Sequence, residues 1–144
     1  YKNIMIGDSA GAANTAVLNL FIGSEAGVRN TSGASNTFIG HSAGSRNTTG
    51  SFNSYIGWNA GFYNTGDNNT FIGPWSGWNS GGSDNDCIGF FAGSTVDGDA
   101  NVCIGNSVVV NVSDKLAIDN SGTNIPLVYG EYSCHYLTIN GNNL

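Results

Sequence analysis

Apolar and small residues in this chain recur as one short phrase. Ile followed by Gly stands at residues 6, 22, 39, 56, 72, 88 and 104, at intervals of 16 or 17 residues. Asn stands three residues before each Ile, at Asn3, Asn19, Asn36, Asn53, Asn69, Asn85 and Asn101. A small residue and Gly follow four residues after the Ile in six of the seven copies, from Ala10-Gly11 to Ala92-Gly93. Three columns aligned over seven copies are a repeat, and its period sets the architecture. A unit of this length is too short for a helical hairpin or a propeller blade but fits one coil of a β-solenoid. Gly, Asn, Ser and Thr are poor helix formers, and no 3.6-residue rhythm of apolar residues competes. The expected fold is therefore all-β: a solenoid of about seven coils over residues 1–112, closed by a short β cap over residues 113–144. Successive Asn side chains are placed to stack as amide ladders, and Gly supplies positive φ at the corners.

After Gly105 the phrase decays, and Val108-Val109-Val110 replaces the small corner. Apolar alternation at Leu116 and Ile118, at Leu127 to Tyr129, and at Tyr136 to Ile139 predicts three further short strands.

Neighbouring strand residues face opposite sides. The residue before each Ile reads Met5, Phe21, Phe38, Tyr55, Phe71, Cys87 and Cys103. With Ile filling the lumen, this mostly aromatic column faces outward as an apolar stripe, and Phe21, Phe38, Tyr55 and Phe71 become the expected interface of a homotrimer. The alternative is a monomer with both columns inside one wide lumen.

The phrase "NTFIG..AG..NTTG..N" resembles repeats of bacteriophage tail-fibre and bacterial surface-fibre proteins and, more distantly, the β-roll heads of trimeric autotransporter adhesins. The resemblance covers residues 3–112. Residues 115–143 resemble the closing segment of tail-fibre-like proteins, which an endosialidase-type intramolecular chaperone often follows. The chain stops where that chaperone would begin, which fits a mature or truncated product. The resemblance implies a trimeric, extracellular fibre of a virion tail or bacterial appendage, joined to other fibre or baseplate proteins.

Charge narrows the partners. The net charge is −6, with only Lys2, Arg29, Arg46 and Lys115 as fixed cations. Nucleic acid is not an expected partner, because phosphate binding needs clustered basic residues. No apolar run approaches the length of a membrane span, so no membrane insertion is expected. Three cysteines make no paired disulfide framework, and Cys87 and Cys103 read as small buried stand-ins for Phe.

Enzymatic chemistry finds little support. His41 and His135 lie in different modules, and the pairs Asp84/Asp86 and Asp97/Asp99 sit among turn residues. The "DGDAN" stretch lacks the further ligands of a calcium loop. Neither a catalytic residue nor a cofactor or metal is expected.

The variable letters carry the remaining signal. Around the corners, coils one to three place polar or small residues such as Ser9, Arg29, His41 and Arg46. Coils four to six place Trp58, Phe62, Tyr63, Trp75, Trp78, Phe90 and Phe91 at the same positions. Stacked coils would gather these seven rings into one band on the outer wall. Apolar ring faces beside Asn, Asp and Ser side chains suit a cell-surface glycan. The competing reading is packing between subunits in a purely structural stalk. A carbohydrate-cleaving enzyme and an ice-binding face are weaker rivals; the Thr ladder breaks in coils five and six, which opposes the latter.

Overall fold

The computed structural model describes residues 2–120, 126–132 and 135–139. Ten strands among them form one sheet in chain order: β1 (Ile4–Ile6), β2 (Leu20–Ile22), β3 (Thr37–Ile39), β4 (Ser54–Ile56), β5 (Thr70–Ile72), β6 (Asp86–Ile88), β7 (Val102–Ile104), β8 (Lys115–Ile118), β9 (Val128–Glu131) and β10 (Tyr136–Ile139). From β1 to β8 every pairing is parallel and in register, so that Phe21 faces Phe38, Phe38 faces Tyr55, and Ile39 faces Ile56. The chain is thus a β-solenoid of about seven turns. The strands predicted in the C-terminal segment are present as β8, β9 and β10. The first of them continues the parallel stack, and the other two turn back antiparallel. Cys134 and residues 121–125 and 140–144 of that segment lie outside the described residues. Among the described residues no helix is long and apolar enough to cross a membrane.

The Asn column forms a buried ladder. The Oδ1 of each Asn from Asn3 to Asn101 accepts the backbone N–H of the equivalent residue one coil on, at 2.8–3.0 Å. The last rung ends on the N–H of Lys115. The Nδ2 groups of Asn19, Asn36, Asn53, Asn69 and Asn85 donate to the carbonyls of Gly33, Gly50, Gly66, Gly82 and Gly98. In these five coils one side-chain type therefore satisfies two backbone groups at the corner.

Asn and the ring five residues before the small-Gly corner share strand parity, being two residues apart, and both point inward. Phe21, Phe38, Tyr55 and Phe71 are fully buried. Their rings stack at 4.9, 4.7 and 5.0 Å with interplanar angles of 11°, 4° and 13°. The corner glycines close over them: a Cβ on Gly44 would lie 2.5 Å from the Phe38 ring. The expected arrangement is reversed. The column assigned to a subunit interface, Phe21, Phe38, Tyr55 and Phe71, fills the lumen, and the Ile column assigned to the lumen faces outward. Ile6 is 58% exposed and Ile56 40%. The reason is parity: once the Asn ladder is buried, the residue two positions on must be buried too.

The lumen changes character along its length. In coils six and seven Cys87 and Cys103 replace the ring, free and buried. Val96 replaces the inward-facing polar residue of the earlier coils, Asn30, Asn47, Asn64 or Ser80, and is likewise fully buried. A smaller thiol in one column and an apolar branch in the other keep the interior filled.

Candidate functional site

Each coil makes a tight turn after the Ile-Gly pair. In coil five the Ser76 N–H bonds the Gly73 carbonyl at 3.1 Å, and Trp75, the third residue of that turn, has φ of 55°. Positive φ at that place is the mark of a type II turn, and Pro74 before it suits the preceding position. The same place holds Ser9, Glu25, Ser42, Asn59, Phe91 and Ser107, all with φ between 53° and 58°. Turns of successive coils are bonded to each other, as where Trp75 N–H meets the Trp58 carbonyl at 2.8 Å and Phe91 N–H the Pro74 carbonyl at 3.0 Å. Side chains of this wall are thereby held in columns as regular as those of the sheet.

The seven candidate residues fall into two ring clusters. Trp58 and Trp75 lie 4.5 Å apart, and Trp75 packs on Phe91 at 5.4 Å and edge-on to Phe90 at 5.8 Å. On the far side of the small-Gly corner, Phe62 and Tyr63 meet at 4.7 Å, and Tyr63 meets Trp78 at 5.5 Å. No ring contact joins the clusters among the described residues. Trp58 is 51% exposed, Phe90 46% and Tyr63 40%, and the other four are half-buried. None belongs to the core.

Two neighbours escaped the sequence reading. His41 stands edge-on to Trp58 at 6.5 Å. The Arg46 guanidinium lies over the Tyr63 ring at 5.1 Å and the Phe62 ring at 5.8 Å. The signal was there: Arg46 and Tyr63 occupy the same repeat position one coil apart, but Arg46 reads as an ordinary solvated residue until the coils are stacked.

Two carboxylates are tied into the backbone. Asp67 and Asp99 alternate with Ser51, Ser83 and Ser113 in a second ladder, each side-chain oxygen accepting an N–H from the coil before, at 2.7–3.1 Å. Asp84 accepts from the Asn68 amide at 3.0 Å. No group of three or more His, Cys, Asp or Glu gathers among the described residues to hold a metal. A cavity of about 360 Å³ opens beside the C-terminal strands, lined by Leu116, Gly130, Tyr132, His135, Tyr136 and Leu137 among others. It is mainly apolar and lies apart from the ring band. Lys115 pairs with Glu131 there at 2.9 Å, and that hydrogen bond raises the lysine pKa.

No family model, curated protein or solved structure matches the chain.

Proposed function

We propose that this chain is a segment of an extracellular homotrimeric fibre, of the kind carried by phage tails or bacterial surfaces, that attaches non-catalytically to a cell-surface glycan. One observation carries the reading: seven aromatic residues stand on the outer wall of a scaffold whose fold does not need them. Apart from Val28, the same positions in coils one to three are filled by small or polar residues, and at the place of Trp75 and Phe91 with the same backbone φ. Two of the rings, Trp75 and Phe91, occupy left-handed backbone, which costs bulky side chains on the order of 1–2 kcal/mol. The turn needs that backbone in every coil, but not a bulky ring on it, and strain accepted by such a residue choice is commonly a mark of a functional surface.

The outward Ile column supports the trimer. It runs along the rod from Ile6 to Ile104, and a soluble chain rarely leaves so long a row of apolar side chains without a partner. Three copies around an axis would cover it, leave the ring band facing solvent, and multiply a weak single-site affinity. Light scattering should give about three times the chain mass, and the double substitution Ile56→Asp with Ile72→Asp should give a folded monomer. A glycan array probed with the trimer tests attachment. A folded wild-type monomer at working concentration would remove the trimer, and an array without any bound saccharide would remove the glycan.

The second reading is a structural spacer with binding elsewhere. It is favoured by the rings' mutual packing, since Trp58 and Trp75 already cover part of each other.

A further inference from the structure

We infer that the saccharide bound on this wall is acidic, with its anionic group held by Arg29 and Arg46 and its ring lying on Tyr63 and Trp78. This rests on the attachment reading above and names the ligand class.

Charge is unevenly spread over the chain. Residues 1–66 hold three of the four Lys and Arg residues and two of the ten carboxylates, Asp8 and Glu25. Arg29 and Arg46 are direct neighbours. The Arg29 N–H bonds the Ser45 carbonyl at 3.2 Å and the Arg46 N–H bonds the Phe62 carbonyl at 2.9 Å. Arg29, Arg46 and Tyr63 therefore follow one another in one column, at a coil spacing of about 4.8 Å. Two like charges at that spacing repel unless something neutralises them. The carboxylates of the same coils do not: Glu25 accepts from the Ser42 hydroxyl at 3.2 Å, and Asp8 from that of Ser9 at 3.3 Å. Among the described residues the one ion pair is Lys115 with Glu131, far along the rod. The two guanidinium groups are exposed and carry uncompensated charge on an otherwise acidic molecule.

Arg46 is also oriented. A guanidinium lying over a ring spends its face on the aromatic surface and keeps its N–H edge for a planar or tetrahedral anion. Tyr63 continues that column, and Trp78, at the adjoining position of the next coil, meets it edge to face. A cationic pair followed by ring faces in successive coils matches a sugar that bears a carboxylate or a sulfate ester. A neutral sugar would leave both arginines idle. Single-stranded nucleic acid also combines stacking with anions. Its phosphates, repeated at every nucleotide, would run along a chain that carries eight of its ten carboxylates from Asp67 onward; a saccharide with isolated charges would not.

Calorimetric titration of the intact protein with oligogalacturonate, a sulfated dextran oligomer, a neutral malto-oligosaccharide and an oligothymidylate tests the inference. At least one of the two acidic saccharides should bind about tenfold or more tightly than the neutral one, and added salt should weaken it. Arg46→Gln and Arg29→Gln should each weaken that binding by about tenfold while melting like wild type. Equal binding of the neutral oligosaccharide, unaffected by either substitution, would overturn the acidic ligand and leave the attachment reading standing. Tighter binding of the oligothymidylate would overturn it in favour of nucleic acid. Failure of wild type to bind any of the three saccharides would overturn it together with glycan attachment.

Discussion

Two sets of stacked rings lie in this molecule, one inside the rod and one on its wall, and they obey different rules. Inside, Phe21, Phe38, Tyr55 and Phe71 stack at 4.7–5.0 Å and within 13° of parallel. On the wall, Trp58, Trp75, Phe90 and Phe91 meet at 4.5–5.8 Å with angles from 24° to 88°. The parallel stack is imposed. In-register coils give each ring one available direction, and the corner glycines leave no other place for it. The wall rings tilt because their neighbours differ from coil to coil and solvent takes up the slack. The fold therefore dictates how a ring lies in the lumen and only tolerates rings outside.

The most direct way to break this comparison is to remove one ring from each set. Phe38→Ala should cost about 3–5 kcal/mol of folding stability, through lost burial and the cavity left between Phe21 and Tyr55. Trp58→Ala, on a half-exposed side chain, should cost about 1 kcal/mol or less. Denaturant titration of the two variants measures both. Equal losses would mean that the wall rings are as structural as the lumen.

The repeat made the solenoid, its period and its corners legible, because Ile-Gly, Asn and Ala-Gly recur in fixed relation. It did not settle which of two apolar columns lies inside. Met5 to Cys103 and Ile6 to Ile104 are both apolar throughout, so hydrophobicity alone cannot choose between them. The buried Asn ladder chooses, through parity. Arg46 was illegible for a different reason: its partners Phe62 and Tyr63 lie 16 and 17 residues away and become neighbours only when the coils stack.

Next in size is the ladder that sets the parity. Asn53→Ala would leave the Asn69 N–H and the Gly66 carbonyl without the side chain that meets them at 2.8 and 2.9 Å. Two stranded backbone groups at a corner should cost about 2–4 kcal/mol. Hydrogen exchange should show the Asn69 amide losing protection first. Loss of stability below about 1 kcal/mol would mean that water replaces the ladder freely, and the parity argument would lose its support.

A smaller effect separates the rings within the lumen. The Tyr55 hydroxyl donates to Asn64 Oδ1 at 2.7 Å, whereas the corresponding oxygens of Asn30 and Asn47, in coils with Phe, are buried without a protein partner. Tyr55→Phe should cost about 1 kcal/mol and Phe38→Tyr, whose hydroxyl would reach Asn47, should recover a similar amount. Burial holds the Tyr55 pKa well above its ordinary value, and a hydrogen bond with Cys103, helped by burial, raises that of Cys87. Both groups ionise more readily when unfolded. Their contribution is complete below the unfolded values, about pH 8.5 for the thiol and 10 for the phenol, and is lost as pH rises through the folded ones. Alkaline unfolding should therefore begin near the thiol value and move upward in Cys87→Ala, and its phenolic part should vanish in Tyr55→Phe. An unchanged alkaline limb in both variants would mean that neither buried group governs it.

The last test concerns a residue of the proposed attachment surface. Trp75 combines contacts to Trp58, Phe90 and Phe91 with left-handed backbone at φ of 55°. Asn occupies the same place one coil earlier, as Asn59 at the same φ, and suits that conformation far better. In Trp75→Asn the relief of about 1–2 kcal/mol of backbone strain opposes the loss of ring contacts worth about 0.5–1.5 kcal/mol each. Three such contacts sum to about 1.5–4.5 kcal/mol, so the relief offsets part of the loss and the melting temperature should fall only modestly. Attachment, if the wall is the receptor surface, should weaken by about 1–3 kcal/mol, as when an interface anchor is truncated. Thermal melting and surface-binding measurements on this one variant separate the readings. A stable variant that no longer attaches places the rings in recognition. A variant that loses stability and trimer mass together would return Trp75 to packing, and the difference between inner and outer rings would be one of geometry alone.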